Sequence, residues 1–347
     1  MRRIIVFPFI LAVLQGGEPA PQPSPARTLR EAVNSLDAAQ IQKAMEAMQG
    51  NFLEPSALDE TSRQRALLEG LIRRLSPGVA IVAAGEGAEP FEPRPFLAEI
   101  LDDRAGYIRP GALDQATLGQ FDAALKSFSE KRLPALILDL RAVPAGSDFD
   151  SAADFAKRLC VRGKILFTIQ KRSAKQERIL SSDREPLFSG LIVVLVNNDT
   201  AGAAEALAGT LRANVRAMIV GTDTAGEAVE FSTFPIDGGQ VLRVAVSQVV
   251  LPDGKLIFPD GLKPDIAVSL APDLLQAIIE ESREKGVSQF VFDSERSRLN
   301  EAALVARTNP EIENTQKPER NAPALRDTVL QRAMDLVTAV GFYQKEN

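Results

Sequence analysis

The sequence predicts an α/β protein in which buried strands alternate with helices. Segments rich in apolar residues, at residues 133–142, 191–196 and 215–224, are typical of strands that are covered on both faces. Amphipathic helical patterns lie between and beside these runs, at Leu113–Glu130 and Ala203–Arg212. Strands and helices that alternate at this spacing indicate a mainly parallel sheet with helices on both sides.

The N-terminal segment, residues 1–26, has the pattern of an export signal followed by a Pro-rich linker. Arg2 and Arg3 precede an apolar run from Ile4 to Leu14, which is too short to cross a bilayer comfortably. Ser24–Ala26 is the better candidate for a cleavage site. We therefore expect an exported protein, periplasmic or extracellular, that is either released or tethered by an uncleaved signal. A buried N-terminal strand is the alternative, and no other membrane domain is expected.

Three further regions follow this segment. Apolar residues at three- and four-residue spacing predict a helical region over residues 27–77, which ends at the stop signal Ser76-Pro77-Gly78. Residues 78–270 are expected to form the α/β domain, which is rich in strands towards its end and turns back at Pro252–Gly254. Residues 271–347 are expected to be helical, and the apolar stripe of the last helix fits packing on the body or on a second subunit.

Two local stretches are expected to be structural. Ser151–Cys160 has a helical pattern, and its final cysteine ends an apolar face, which favours a core position over a reactive one. The polar stretch Ile179–Pro186 is expected to be a loop, and its serines have no neighbouring base.

The composition excludes several classes of function. Hydrophobic residues make up 45% of the 347-residue chain, which is enough for a sizeable core. The net charge of −6 and the lack of a basic stripe argue against nucleic acid as a partner. Histidine is absent, which excludes Ser-His-Asp, Cys-His and His-ligated zinc chemistry. The single cysteine excludes an intrachain disulfide and any multi-cysteine metal site, so neither a metal nor a cofactor is expected.

Five motifs in a fixed order carry a family resemblance. They are "GYIRP" (Gly106–Pro110), "LILDLRAVPAGSD" (Leu136–Asp148), "VVLVNNDTAGAAEALAGTL" (Val193–Leu211), "RAMIVGTDTAGEAVEF" (Arg216–Phe231) and "VLPDGKLIFPDGLKPDIAV" (Val250–Val268). In this order they resemble the C-terminal processing peptidases, which are also called tail-specific proteases. The resemblance implies a Clp protease/crotonase-like α/β fold, secretion or a periplasmic location, and peptide binding by strand addition.

The catalytic positions of that family have changed in this chain. Family members use a Ser–Lys dyad, in which a lysine of lowered pKa serves as the base for a serine nucleophile. When the family's N-x-G-S-A-S-A-S-E run is placed on Asn197–Glu205, the serine position is Gly202. The lysine position is Glu227 and the supporting glutamine position is Phe231. Because glycine has no side chain with which to attack, catalysis by the family mechanism is not possible, and no catalytic residue is assigned.

Thr200 and Asp199 precede the degenerate serine position. We expect these two side chains to cap the following helix, because Asp and Thr oxygens accept hydrogen bonds from the free N–H groups of a first turn. The alternative is an active hydrolase that uses a residue outside the family dyad, such as Thr200 as the nucleophile or Glu227 to activate water.

The oxyanion-type donors of the family are backbone N–H groups, which survive the loss of side chains. By resemblance the donors in this chain are the amides of Ala145 or Gly146 and of Ala203, the last at a helix N-terminus that favours a carboxylate or carbonyl oxygen. Gly202 leaves room for a peptide backbone. These residues therefore offer a peptide-binding site, although tight packing alone would also account for them.

We expect the substrate-reading module of the family to be missing from this chain or reduced to a hairpin. The family inserts a PDZ domain before the "GYIR" strand, whereas only about thirty residues, Gly78 to Ala105, lie there in this chain. We therefore expect an exported, catalytically inactive relative of the tail-specific proteases that binds peptide C-termini or partner proteins. The alternatives are an active peptidase with a non-family nucleophile and an oligomeric scaffold built from copies of this chain.

Overall fold

A computed structural model describes residues 28–85, 94–146, 148–171, 177–236, 238–291 and 325–346. The expected export signal and linker, residues 1–26, lie outside the described residues. The chain divides into two units, Met1–Leu71 and Ile72–Asn347. The predicted α/β class, with helical N-terminal and C-terminal regions, is confirmed.

The first unit consists of helices. These are α1 (Leu29–Asn34), α2 (Ala38–Asn51), a 3-10 turn (Pro55–Leu58) and most of α3 (Glu60–Leu75), which continues into the second unit. Capping boxes start the first two helices: Thr28 pairs with Glu31, and Asp37 pairs with Gln40. These caps satisfy free N–H groups at each helix start. No side chain of these helices is buried among the residues described.

The described part of the second unit holds eleven strands. They are β1 (Val79–Ala83), β2 (Leu97–Leu101), β3 (Ala105–Arg109), β4 (Ala135–Asp139), β5 (Ile165–Lys171), β6 (Arg178–Ser181), β7 (Leu191–Val196), β8 (Met218–Gly221), β9 (Val229–Ile236), β10 (Gln240–Val250) and β11 (Ile266–Ala267). Six of them form one sheet in the order β11-β8-β7-β4-β3-β2. All neighbours in this sheet are parallel except β2 and β3. This is the mainly parallel sheet that the sequence predicts.

A second, antiparallel sheet was not expected. It has the order β1-β10-β5-β6, and β9 pairs with β10 alongside it. The loop expected at Ile179–Pro186 is wrong in its first half, because β6 covers Arg178–Ser181 and pairs with β5. An edge strand needs only one partner and leaves its other side in water, so polar residues are tolerated there.

Helices cover both faces of the six-stranded sheet. Those of the second unit are α4 (Gln115–Glu130), α5 (Phe149–Lys157), α6 (Ala203–Val215), α7 (Pro272–Lys285) and α8 (Thr328–Glu346). One face of the sheet packs on α4, α5 and α6, in a core that also takes residues of β5 and β10. The other face packs on α8 through residues such as Leu330 and Met334. The apolar stripe of the last helix was compatible with packing on the body or on a second subunit. In the structure α8 packs on the body.

Two further observations concern reactivity and membranes. Cys160 is buried in the first core, and burial raises the pKa of its thiol to about 12, as expected for a structural cysteine. None of the helices in the described ranges is long and apolar enough to cross a membrane.

Candidate functional site

A cleft of about 490 Å³ lies at the carboxyl ends of β4, β7 and β8. The loops that follow these strands meet there because parallel strands end at the same edge of a sheet, which is where α/β proteins bind ligands. The lining residues are Arg94, Arg141, Ala142, Val143, Pro144, Ala145, Asn198, Asp199, Ala201, Ala225 and Glu227. The cleft thus brings together Ala145, Asp199 and Glu227, which the sequence singled out from three separate motifs.

The turn before α6 is closed by its own side chains. The Thr200 hydroxyl accepts a hydrogen bond from the N–H of Asn197 and donates one to Asn197 Oδ1, each at 3.0 Å. The N–H of Asp199 donates to the same Oδ1 at 3.2 Å. Thr200 is completely buried. The hydroxyl is therefore a structural group of the turn.

The expectation that Asp199 and Thr200 cap α6 is wrong. The N-cap residue is Gly202, which has no side chain to offer, and the helix begins at Ala203. Asp199 and Thr200 lie too far before the first helical residue to reach its free N–H groups, and Thr200 bonds to Asn197 instead. The carboxylate of Glu205, three residues after Gly202, accepts the Gly202 N–H at 2.9 Å. This is the reverse half of a capping box, without the side chain that normally completes it.

Only glycine fits at position 202. Its backbone has φ +59° and ψ −116°, a conformation that residues with a β-carbon rarely adopt. A β-carbon at this position would lie 2.1 Å from the carbonyl oxygen of Gly146. The degenerate serine position therefore lacks both the nucleophile and the room for one in this arrangement of the two loops.

The expected donor at Ala203 is not available. Its N–H donates to the Gly146 carbonyl oxygen at 2.7 Å, so one half of the family's oxyanion-type site is occupied by the chain itself. The N–H groups of Ala145 and Gly146 make no hydrogen bond within the described residues. Ala145 also lines the cleft. The amide donors that remain for a ligand are thus those of Ala145 and Gly146.

Glu205 connects the turn before α6 with the loop after β8, and no role was predicted for it from the sequence. Its buried carboxylate accepts from the N–H groups of Gly202 (2.9 Å), Gly226 (2.7 Å) and Glu227 (2.8 Å), and from the Thr224 hydroxyl. Burial raises the pKa of this carboxyl, and the four hydrogen bonds oppose that rise. Two sequence signals exist for it: Glu205 lies three residues after the N-cap Gly202, and it matches the glutamate that ends the family run placed on Asn197–Glu205.

The other two changed positions form a new contact around Arg243. A carboxylate oxygen of Glu227 lies 3.9 Å from Arg243 Nη2. The Arg243 guanidinium carbon lies 3.5 Å from the ring centroid of Phe231. A charge pair and a cation–π contact therefore stand where the family has its base and its supporting glutamine.

A buried charge network supports the floor of the cleft. The Arg141 guanidinium donates to Asp139 (2.7 and 2.9 Å) and to Asp327 (2.7 and 3.0 Å), and Tyr107 donates to Asp139 at 2.7 Å. Burial by itself lowers the pKa of Arg141, but the two carboxylates outweigh it and raise this pKa well above its ordinary value. The partner Asp327 is 186 positions away in sequence, so no local pattern could have identified this pair.

The described residues contain no cluster of three or more His, Cys, Asp and Glu side chains that could hold a metal ion. The groups that the cleft offers to a ligand include its amide donors, its arginines, its two carboxylates and its apolar wall.

Comparison with known proteins matches one family model to a segment that holds every lining residue of the cleft except Arg94. Residues 104–268 match the model of Peptidase family S41. The chain is similar to the carboxy-terminal processing protease CtpA of Bacillus subtilis, at 27% identity over 176 residues, which are 51% of this chain and 37% of that protein. It is also similar to the carboxyl-terminal-processing protease of Synechocystis, at 30% identity over 178 residues, which are 50% and 41% of the two chains.

A solved structure shares the fold. It belongs to a candidate peptidase of Parabacteroides merdae, with a TM-score of 0.50 and 14% sequence identity over 70% of this chain and 85% of that one. These findings confirm the family resemblance carried by the five motifs. The chain spans about two fifths of the length of the two proteases it matches.

Proposed function

We propose that this chain, whose residues 104–268 are a domain of peptidase family S41, binds extended peptides of partner proteins without cutting them. The observation that carries the proposal is the contact between Gly146 and the start of α6. Peptide hydrolysis by this family's route needs a nucleophile and free donors for the oxyanion. Gly202 supplies no nucleophile, and the Ala203 N–H already donates to the Gly146 carbonyl oxygen at 2.7 Å.

Thr200 and Glu227, which the alternative hydrolase mechanism would use, both make contacts within the protein. The Thr200 hydroxyl is buried and bonded to Asn197. A carboxylate oxygen of Glu227 lies 3.9 Å from Arg243 Nη2. A carboxylate of this kind binds cations and N–H donors readily, but on its own it supplies only one member of a catalytic pair.

The cleft and a neighbouring strand offer a path for an extended peptide. The wall formed by Val143, Pro144, Ala201 and Ala225 is apolar, and the N–H of Ala145, which makes no hydrogen bond within the described residues, is available to a carbonyl group of a peptide. β9 starts two residues after Glu227 and, among the described strands, pairs with β10 alone. Its other edge can accept an added strand, in which backbone hydrogen bonds provide the affinity.

Export belongs to the same proposal. The basic pair Arg2 and Arg3, followed by the apolar run to Leu14, supports a secretory route and hence partners outside the cytoplasm. Peptide tails or unstructured segments of exported proteins are the ligand class that fits this location and the cleft.

The test is a binding and cleavage assay on one unstructured peptide. Wild-type protein should bind a fluorescently labelled peptide in anisotropy measurements and leave it intact over hours at high protein concentration. Ala145→Trp should weaken binding at least tenfold, since the exposed Ala145 lines the cleft and an indole fills it. Ala213→Trp is the matched control, because Ala213 is an exposed alanine of α6 that does not line the cleft.

Two results would overturn the proposal. Cleavage by wild type that is lost in Thr200→Ala or Glu227→Ala would establish an active hydrolase with a non-family residue. No binding of any peptide, together with a mass that rises with concentration, would favour the oligomeric scaffold.

A further inference from the structure

Arg109 is the largest fully buried side chain of the protein's described part, with 1% of its surface exposed. It is the last residue of β3 and pairs with Leu97 of β2, three residues after Arg94. On its other side the β3–β4 register places it beside Asp139. Side chains alternate along a strand, so Arg109 shares a face with Tyr107 at the same sheet edge as the cleft.

The Arg109 guanidinium has donors without acceptors. Nε and Nη2 are both buried, and neither has a hydrogen-bond partner in the described residues. A buried donor that lacks an acceptor costs about 1–3 kcal/mol, and more when the group is charged. Unsatisfied buried groups of this kind are rare in folded proteins and call for a water molecule, an ion or a ligand.

The neighbouring carboxylates cannot satisfy Arg109. Burial raises the pKa of Asp139, but its contacts with Arg141 and Tyr107 lower it below the ordinary value. The charge of Arg109 is close enough to lower this pKa further. Both oxygens of Asp139 are nevertheless taken by Arg141 and Tyr107 at 2.7–3.1 Å. Those of Asp327 are taken by Arg141 and by the first N–H groups of α8. The two arginines and the two aspartates together carry no net charge, but Nε and Nη2 of Arg109 still lack hydrogen-bond acceptors.

Arg94 and Arg141 are the charged cleft residues that lie near Arg109. Both line the cleft, and Arg94 donates to Gln276 Oε1 of α7 at 2.8 Å. The pKa of Arg94 is lowered, first by burial and then by the positive charge of Arg109, while Glu280 and Asp199 act in the opposite direction. Positive groups are thus concentrated where Arg94 and Arg141 line the cleft, which is its inner end, and Asp199 lies near Arg94.

We infer that the inner end of the cleft is a carboxylate subsite, lined by Arg94 and Arg141 and anchored by the unmet donors of Arg109. A carboxylate presents two acceptor oxygens in the geometry that a guanidinium fork matches, and such paired bonds are stronger than bonds to a neutral carbonyl. The subsite deepens the proposed function and rests on it: the carboxylate is that of a bound peptide, either its C-terminus or an acidic side chain.

Three peptides of otherwise identical sequence distinguish the sources. One has a free C-terminus, one a C-terminal amide, and one an amide that follows a glutamate. The free acid should bind wild type about 10- to 100-fold more tightly than the plain amide, as expected for hydrogen bonds to a charged group. Recovery of that gain by the glutamate peptide assigns the side chain as a source. Equal affinity of all three would overturn the subsite and would indicate that water satisfies Arg109.

Variants then tie the preference to Arg109. Arg109→Met keeps the bulk of the side chain and should reduce the acid-over-amide preference to about onefold. Arg162→Met is the control, because Arg162 is an exposed arginine that bonds to the Asp183 carbonyl and does not line the cleft. Its acid preference should equal that of wild type. An unchanged preference in Arg109→Met would overturn the assignment.

A second readout separates this inference from the peptide proposal. Sodium acetate should raise the Tm of wild type above that in sodium chloride at equal ionic strength, and should not do so in Arg109→Met. If no peptide binds but this difference holds, the subsite stands and the peptide proposal fails. If peptides bind without any preference for the free acid, the peptide proposal stands and the subsite fails. Should Arg109→Met fail to fold, the wild-type comparisons of acid with amide and of acetate with chloride decide alone.

Discussion

The carbonyl oxygen of Gly146 accepts a hydrogen bond from the N–H of Ala203 at 2.7 Å, which holds the loop after β4 against the first turn of α6. This single contact removes an oxyanion-type donor and the space for a side chain at Gly202. It also explains why the site tolerates glycine at the nucleophile position: no other residue fits while the two loops touch.

Gly202→Ala should destabilise the protein by about 2–5 kcal/mol, from its positive φ and from the close approach of Gly146. Gly163→Ala is the matched control, since Gly163 has φ +81° but nothing within 4 Å of a new β-carbon, and should cost about 1–2 kcal/mol. Urea unfolding of both variants measures the difference. Equal costs would mean that the Gly146 loop moves aside easily, and a Gly202→Ser variant would then have room for its hydroxyl.

Glu205→Gln should destabilise the protein by about 2–5 kcal/mol at pH 7, because the amide NH2 replaces an acceptor and faces N–H groups that need one. Glu281→Gln, on the exposed face of α7 beside Lys285, should change the free energy of unfolding by less than about 0.5 kcal/mol. Chemical denaturation of the two variants gives both values. A loss in Glu205→Gln as small as in the control would show that Glu205 does not join the two loops in solution.

Asp327→Asn should cost about 3–5 kcal/mol, because it leaves the buried Arg141 with one fewer negative partner. Asp335→Asn, at an exposed position of α8, the helix that Asp327 immediately precedes, serves as the control. Thermal unfolding of the two variants is the measurement. Equal Tm values for the two variants would contradict a structural role for the pair that connects α8 to the cleft floor.

Cys160 should resist labelling by a thiol reagent at pH 8 in the native protein and react at once in denaturant. The thiol is buried, and its pKa is raised from 9.0 to about 12. A folded pKa above the unfolded one means that stability present below pH 9 is lost as the pH rises from 9 towards 12. The free energy of unfolding should therefore fall more steeply over pH 9–10.5 in wild type than in Cys160→Ala. Fast native labelling at pH 8 would contradict the buried position.

Local patterns identified most of the framework. The apolar runs at 133–142 and 191–196 became β4 and β7, and the helical pattern from Leu113 became α4, because burial on both faces and amphipathic spacing are properties of short segments. β6 was missed because an edge strand of four residues with one partner has no alternating pattern long enough to detect.

For the site, too, the sequence determined some features and the tertiary structure determined others. Sequence alone established the absence of histidine and the presence of Gly202 and Glu227 at the positions that the family resemblance assigns to the serine and the lysine, and it predicted the loops that carry the site. Those facts depend on which atoms the residues possess. The tertiary structure decided that Gly146 occupies the Ala203 amide, that Glu205 joins the two loops and that Arg109 lies buried with unmet donors. These relationships connect residues tens of positions apart, and they depend on distances that only the packed sheet and helices define.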